Sequence, residues 1–159
     1  MNKNYNHLIN NIGILLEEGR KQAVYTINNI LVQIYWQIGK QIVEFEQKGK
    51  IRAEYGSNLL TKLSKDLTFR YGKGFSISNL QYIRLFYIKY QNYQTLSGKS
   101  KKSQTPSGQS EKSETLSQKL SWSHYIELFS IEEDLERSFY EKQCINENWS
   151  VRELQRQIE

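Results

Sequence analysis

Nine residues between positions 62 and 89 have side chains suited to nucleic acid: Lys62, Lys65, Arg70, Lys73, Ser78, Gln81, Tyr82, Arg84 and Lys89. Lysine and arginine neutralise phosphates, Gln and Arg pair with base edges, and Ser and Tyr hydroxyls hydrogen-bond the backbone. The residues sit in a segment, 50–94, that carries 8 basic and 2 acidic side chains. Residues 120–159 carry 4 basic and 9 acidic ones, within a chain of net charge +5. That asymmetry argues for one basic face rather than a general affinity for polyanions.

Other chemistry finds little support. Cys144 is the single cysteine, so no internal disulfide can form; a buried, inert thiol in a reducing cytoplasm is the expectation. His7 and His124 are far apart and lack companions at ligand spacing, so neither a metal site nor a cofactor is expected. Glu132, Glu133 and Asp134 cluster, but at a helix start, where acids favour the helix dipole. Tyr35 and Trp36 read as core rather than as a cofactor box. No window holds the roughly 18 apolar residues of a membrane span, and the polar opening MNKNYNHLINN lacks the apolar core of a secretory leader.

The basic residues need a scaffold, and the flanking pattern predicts one. A helix from Ser57, its proposed cap, to Arg70 places Leu59, Leu60, Leu63 and Leu67 on an apolar side. A tight turn with Gly72 and Gly74 follows. Ser76 then caps a second helix reaching Tyr90, with Phe75 and Leu80 spaced for a hydrophobic staple. Leu80, Ile83, Tyr87 and Tyr90 face the core. Ser78, Gln81, Tyr82 and Lys89 face away, and Arg84 flanks the core stripe. Leu85 and Phe86 also fall towards the outer side, where they would cover another helix or a partner subunit. The outline is that of a helix-turn-helix, related to winged-helix units, with a purely structural helical hairpin as the competing interpretation.

Upstream, residues 4–19 predict a helix with Leu8, Ile12, Leu15 and Leu16 at helical spacing, ended or bent at Gly19. Residues 21–47 predict the core helix. Val24, Ile27, Leu31, Ile34, Ile38, Ile42 and Phe45 form one stripe; Tyr25, Val32, Trp36 and Val43 form a second. Two stripes require more than one neighbour, and Gly39 between them predicts a close helix contact. Residues 47–56 form a polar connection. Residues 95–124 repeat with a period of ten (TLSGKSKKSQ, TPSGQSEKSE, TLSQKLSWSH), and 95–119 are too polar to bury a core, so a flexible Ser/Lys-rich insertion is expected there. Beyond it, Trp122, Tyr125, Ile126, Leu128 and Phe129 predict a short helix packing back on the domain. Ser130 with Glu133, and Ser150 with Glu153, predict capping boxes opening two more helices. The last has Val151, Leu154 and Ile158 as its stripe, and the chain ends within it, as though more followed. The expected fold is all-α: one domain built from residues 1–94 and 120–159, interrupted by 95–119.

Four segments carry a family resemblance: YWQIGKQIVEFEQKGKIRAEYG (35–56), LSKDLTFRYGKGFSISNLQYIRLFY (63–87), LSWSHYIELFS (120–130) and FYEKQCINENWSVRELQRQI (139–158). They resemble the N-terminal domain of the YhcG-like family, within the PD-(D/E)xK nuclease superfamily. The resemblance covers nearly the whole chain outside the repeat. It implies an all-helical DNA-binding domain, with the nuclease site on a separate C-terminal domain or subunit. The PD-(D/E)xK arrangement is not in this chain, because Pro106 has no acidic partner at suitable spacing, so the chain itself is expected to be non-catalytic. The leading expectation is therefore a module that positions a nuclease on duplex DNA. The alternative is a helical protein-interaction or homodimerisation domain that does not touch DNA.

Overall fold

The computed structural model describes residues 3–49, 58–93 and 120–159, and all regular structure among them is helical. Ser57, the proposed cap, and the insertion at 95–119 lie outside the described residues. The elements are α1 (Lys3–Glu46), α2 (Leu59–Tyr71), α3 (Ile77–Lys89), α4 (Trp122–Leu128), α5 (Asp134–Asn146) and α6 (Val151–Ile158).

The predicted break at Gly19 does not occur: residues 3–46 form one 44-residue helix. A lone glycine costs a helix only about 1 kcal/mol relative to alanine, and no proline or turn dipeptide accompanies this one. At 1.5 Å per residue the helix is roughly 66 Å long. Its C-terminal part is the core element that the double stripe predicts, burying Val32, Trp36, Gly39, Ile42 and Val43. Its N-terminal part leaves Leu8, Ile12, Leu15, Leu16, Val24 and Ile27 exposed.

α1 crosses α3 at Gly39. A Cβ at that position would collide with the Ile83 carbonyl oxygen, so only glycine permits this approach. The Trp36 indole Nε1 donates to the Tyr90 carbonyl at 2.7 Å, closing the C-terminal end of α3. On its α1 side α3 buries Leu80 and Ile83 with Ile42; Leu63, Leu67 and Phe75 pack on that cluster, which places the predicted Phe75–Leu80 staple in one apolar unit.

On the other side of α3, Phe86 covers other helices, one of the two alternatives its position leaves open. It is fully buried among Trp36, Tyr93, Tyr125, Leu128, Phe129 and Leu154, because α4, α5 and α6 return over that flank. Its ring centroid lies 4.9 Å from that of Tyr125 and 5.5 Å from that of Trp122. Leu85 is half-buried against the same cluster. α3 thus has packed neighbours on two sides.

The C-terminal helices follow the predicted pattern with one exception. The Ser150–Glu153 capping box forms: Ser150 N donates to Glu153 Oε2 at 2.6 Å, and Glu153 N donates to Ser150 Oγ at 3.3 Å. Leu154 is fully buried on α6. The Ser130–Glu133 box does not form. Ser130 Oγ donates instead to the Glu127 carbonyl at 2.7 Å, finishing α4, and α5 starts one residue after Glu133.

Candidate nucleic-acid interface

The turn between α2 and α3 carries two residues in the left-handed region, Gly72 at φ 86° and Gly74 at φ 110°. Side chains other than glycine rarely adopt such angles, so the pair fixes where the chain reverses and where Lys73 between them stands. Ser76 caps α3 as its spacing predicts, accepting from Asn79 N at 3.2 Å. Asn79 does more than complete the first turn. Its Nδ2 donates to the Gly74 carbonyl at 2.6 Å, and its Oδ1 accepts from Trp122 Nε1 at 2.9 Å. Trp122 in turn packs edge-on against Tyr35 of α1, with centroids 4.8 Å apart. The turn is therefore tied through one asparagine to α4 and α1. Sequence reasoning missed Asn79: position N3 of a helix gives no sign of a partner 43 residues away.

The nine candidate residues separate into three sets. Lys65, Arg70 and Lys73 are exposed on the solvent face of α2 and in the turn, and Ser78 and Gln81 are exposed on the first turns of α3. These five flank the glycine turn in sequence and leave their polar ends to solvent. Lys62 is exposed on α2 but lines a groove of about 420 Å³ between α1 and α2, shared with Asp66, Gln41 and apolar side chains of both helices.

The remaining three have partners within the chain. Arg84 Nε lies 2.7 Å from Glu46 Oε2, which ties α3 to the end of α1. Lys89 Nζ donates to the Ile131 carbonyl at 3.4 Å. Tyr82 stacks on Phe129, with centroids 6.2 Å apart and planes 24° from parallel. The accessible cations thus concentrate on α2 and the turn rather than along α3.

A polar cluster joins the end of α3 to α5. The Tyr90 hydroxyl donates to Glu141 Oε2 at 3.2 Å, and the Arg137 guanidinium stands 5.6 Å from the Tyr90 ring centroid. Arg137 is itself buried; it pairs with Asp134 and donates to the Ile131 carbonyl at 3.2 Å. Burial raises the carboxyl of Glu141 above its usual value and pushes the Tyr93 hydroxyl up to about 12. The Cys144 thiol, buried and donating to the Trp149 carbonyl, is pushed up to about 11, so it is a structural thiol rather than a nucleophile. His124 Nδ1 accepts from Ser121 N at 3.2 Å while Nε2 lies 3.0 Å from the Trp149 carbonyl. This network assigns the proton to Nε2 and makes the ring a brace between α4 and the α5–α6 connection. Among the described residues, no three His, Cys, Asp or Glu side chains are placed to hold a metal ion, and no helix is long and apolar enough to cross a membrane.

Comparison with known proteins gives a single direction. A curated relative from Escherichia coli (strain K12), described as "Putative nuclease YhcG", is 42% identical over 166 residues. The match takes in 97% of this chain but 44% of that relative, so the chain spans under half the relative's length. No solved structure matches. The family model described as the DUF1016 N-terminal domain covers residues 11–159, and the chain belongs to that family as an N-terminal YhcG-like domain.

Proposed function

We propose that this domain is the DNA-binding module of a YhcG-like nuclease and places a separate catalytic domain on duplex DNA in the cytoplasm. The observation that carries this reading is the exposed set Lys65, Arg70, Lys73, Ser78 and Gln81 around a turn fixed by two positive-φ glycines. Cations on α2 and in the turn meet phosphates and set the orientation. Gln81 and Ser78 on the start of α3 stand where side chains of a helix-turn-helix meet base edges and sugar-phosphate oxygens. The carboxylates for metal-assisted hydrolysis belong, on this reading, to the domain that corresponds to the rest of the relative's length.

The test is binding of labelled duplex over a salt series, for the parent chain and for Lys65→Ala/Arg70→Ala/Lys73→Ala. Each lost phosphate contact lowers the slope of log affinity against log salt by about 0.9. The triple variant therefore loses roughly 2–3 units of slope and binds more weakly at every salt concentration. An unchanged slope would overturn the assignment.

The exposed apolar row of α1, including Leu8, Ile12, Leu15 and Leu16, supports a second reading, in which the domain pairs with another copy of itself. Light scattering on the same samples tests it: a dimer that binds no DNA would favour this reading over the first. A dimer that also binds DNA is compatible with both, since helix-turn-helix proteins often span two half-sites.

A further inference from the structure

The solvent face of α2 presents an aromatic group as well as cations. Phe69 is 91% exposed and Tyr71 is 70% exposed, the former among the most exposed large apolar side chains of the fold. Phe69 follows Lys65 by four residues and Lys62 by seven, so on a helix of 3.6 residues per turn all three lie along one face. The apolar side that packs into the domain, Leu60, Leu63 and Leu67, is turned well away from it. Arg70 is the next residue and Lys73 stands in the turn beyond, whereas Tyr71 falls about 200° round the helix from Phe69, towards the side of Leu60 and Leu67, with its ring centroid 6.5 Å from that of Phe75. Charge at helix C-termini is commonplace and would account for Arg70 alone. It does not account for a phenylalanine left in water between two cations.

Aromatic rings interleaved with lysine and arginine are the arrangement by which proteins hold unpaired bases: the cations follow the backbone and the rings stack on base faces. We propose that the Phe69 ring forms a stacking surface for an unstacked nucleobase, so that the module prefers DNA in which duplex adjoins single strand. This inference rests on the DNA-binding reading and narrows it to a substrate class. Lys65, Arg70 and Lys73 grip the duplex backbone. The Phe69 ring engages a base that is no longer paired.

The experiment compares affinities for a fully paired duplex and for the same duplex carrying a single-stranded fork. Stacking contributes about 1–3 kcal/mol per base, so the parent chain should favour the fork by roughly 5- to 150-fold. Phe69→Ala removes that preference and leaves duplex affinity unchanged, whereas Tyr71→Ala, on the other side of the helix, keeps it. Phe69→Leu tests the ring itself: it keeps an apolar side chain but removes the aromatic face, and the preference should drop. The exposure of both residues lets the variants fold, which circular dichroism verifies. Equal affinity of the parent for the two DNAs overturns the inference while leaving duplex binding intact, and so does a preference that survives either Phe69 variant. Absence of all DNA binding in the parent overturns the DNA-binding reading itself.

Discussion

The two helices flanking the glycine turn have the same length, 13 residues each, and opposite surroundings. α3 buries Leu80, Ile83 and Phe86 completely, with α1 on one side and the C-terminal helices on the other. α2 buries only Leu59, and leaves Lys65, Phe69, Arg70 and Tyr71 in solvent. Of the two helices, the one that sequence pattern marks as the reading element is the structural pivot. The one that precedes the turn offers most of the available charge. Apolar content is the physical reason. A helix with hydrophobic residues nearly all round must be enclosed, and enclosure leaves only its first turns free to meet a ligand. α2 has a single apolar side, so its remaining face is open.

The largest expected effect tests α3 as the pivot. The Phe86 ring has centroid distances of 5.3 Å to Tyr90, 5.3 Å to Tyr93 and 6.0 Å to Phe129, besides its contacts with Tyr125 and Trp122. Phe86→Ala removes the shared member of this aromatic cluster and should destabilise the domain by about 3–5 kcal/mol in urea unfolding. Phe69→Ala on α2, the same chemical change at an exposed site, should stay within about 0.5 kcal/mol. A loss at Phe86 no larger than that at Phe69 would erase the contrast between the two helices.

How much of this is visible in the sequence depends on how far apart the interacting residues are. Ser76 at its cap, the Gly72–Gly74 turn, the Ser150–Glu153 box and the stripe of α6 are local patterns, and they appear where spacing places them. Gly39 is legible because a glycine between two apolar stripes weakens its helix and is useful only where another backbone comes close. The side that Phe86 faces is not legible. It depends on helices that return from beyond residue 120, and a helical wheel does not show how many neighbours will arrive. Arg84 reads as a flanking contact for DNA for a similar reason: Glu46, its partner, is 38 residues away. Lys89 and Asn79 have partners 42 and 43 residues away. The candidate site is legible as a charged segment with a turn, but not as a division of labour between its two helices.

A smaller effect, of a different kind, comes from the flank of α3 that meets α5. Tyr90 ends α3, and its hydroxyl donates to Glu141. Burial raises the Glu141 carboxyl above its ordinary value of 4.5, so the folded chain holds a proton that the unfolded chain has already released. The native state then binds more protons, and stability falls as pH rises from the unfolded value through the raised native one. Glu141→Gln keeps an acceptor for Tyr90 and should remove this fall, flattening the curve of stability against pH above about 4.5. Glu153 provides the contrast in sign. Its hydrogen bonds from Ser150 lower its carboxyl, so its contribution is present above the unfolded value and is lost as pH falls through the native one. If Glu141→Gln leaves the pH profile unchanged, the α3–α5 contact is more hydrated than its geometry indicates.

The smallest stability effect bears most directly on which helix carries the proposed DNA contact. Arg84 and Glu46 are 2.7 Å apart, but their side chains are 39% and 28% exposed, so water screens the pair. An ion pair of this kind contributes about 0.2–1 kcal/mol, and Arg84→Ala should cost no more than that. A double-mutant cycle with Glu46→Ala isolates the coupling. Arg70→Ala should do the reverse, leaving stability unchanged and weakening DNA binding with a shallower salt dependence. If Arg84→Ala weakens binding as much as Arg70→Ala, Arg84 must leave Glu46 when DNA arrives, and the contact face extends along α3. If Arg84→Ala lowers stability alone, its charge serves to hold α3 against the end of α1. The proposed DNA face is then α2, the turn and the first residues of α3.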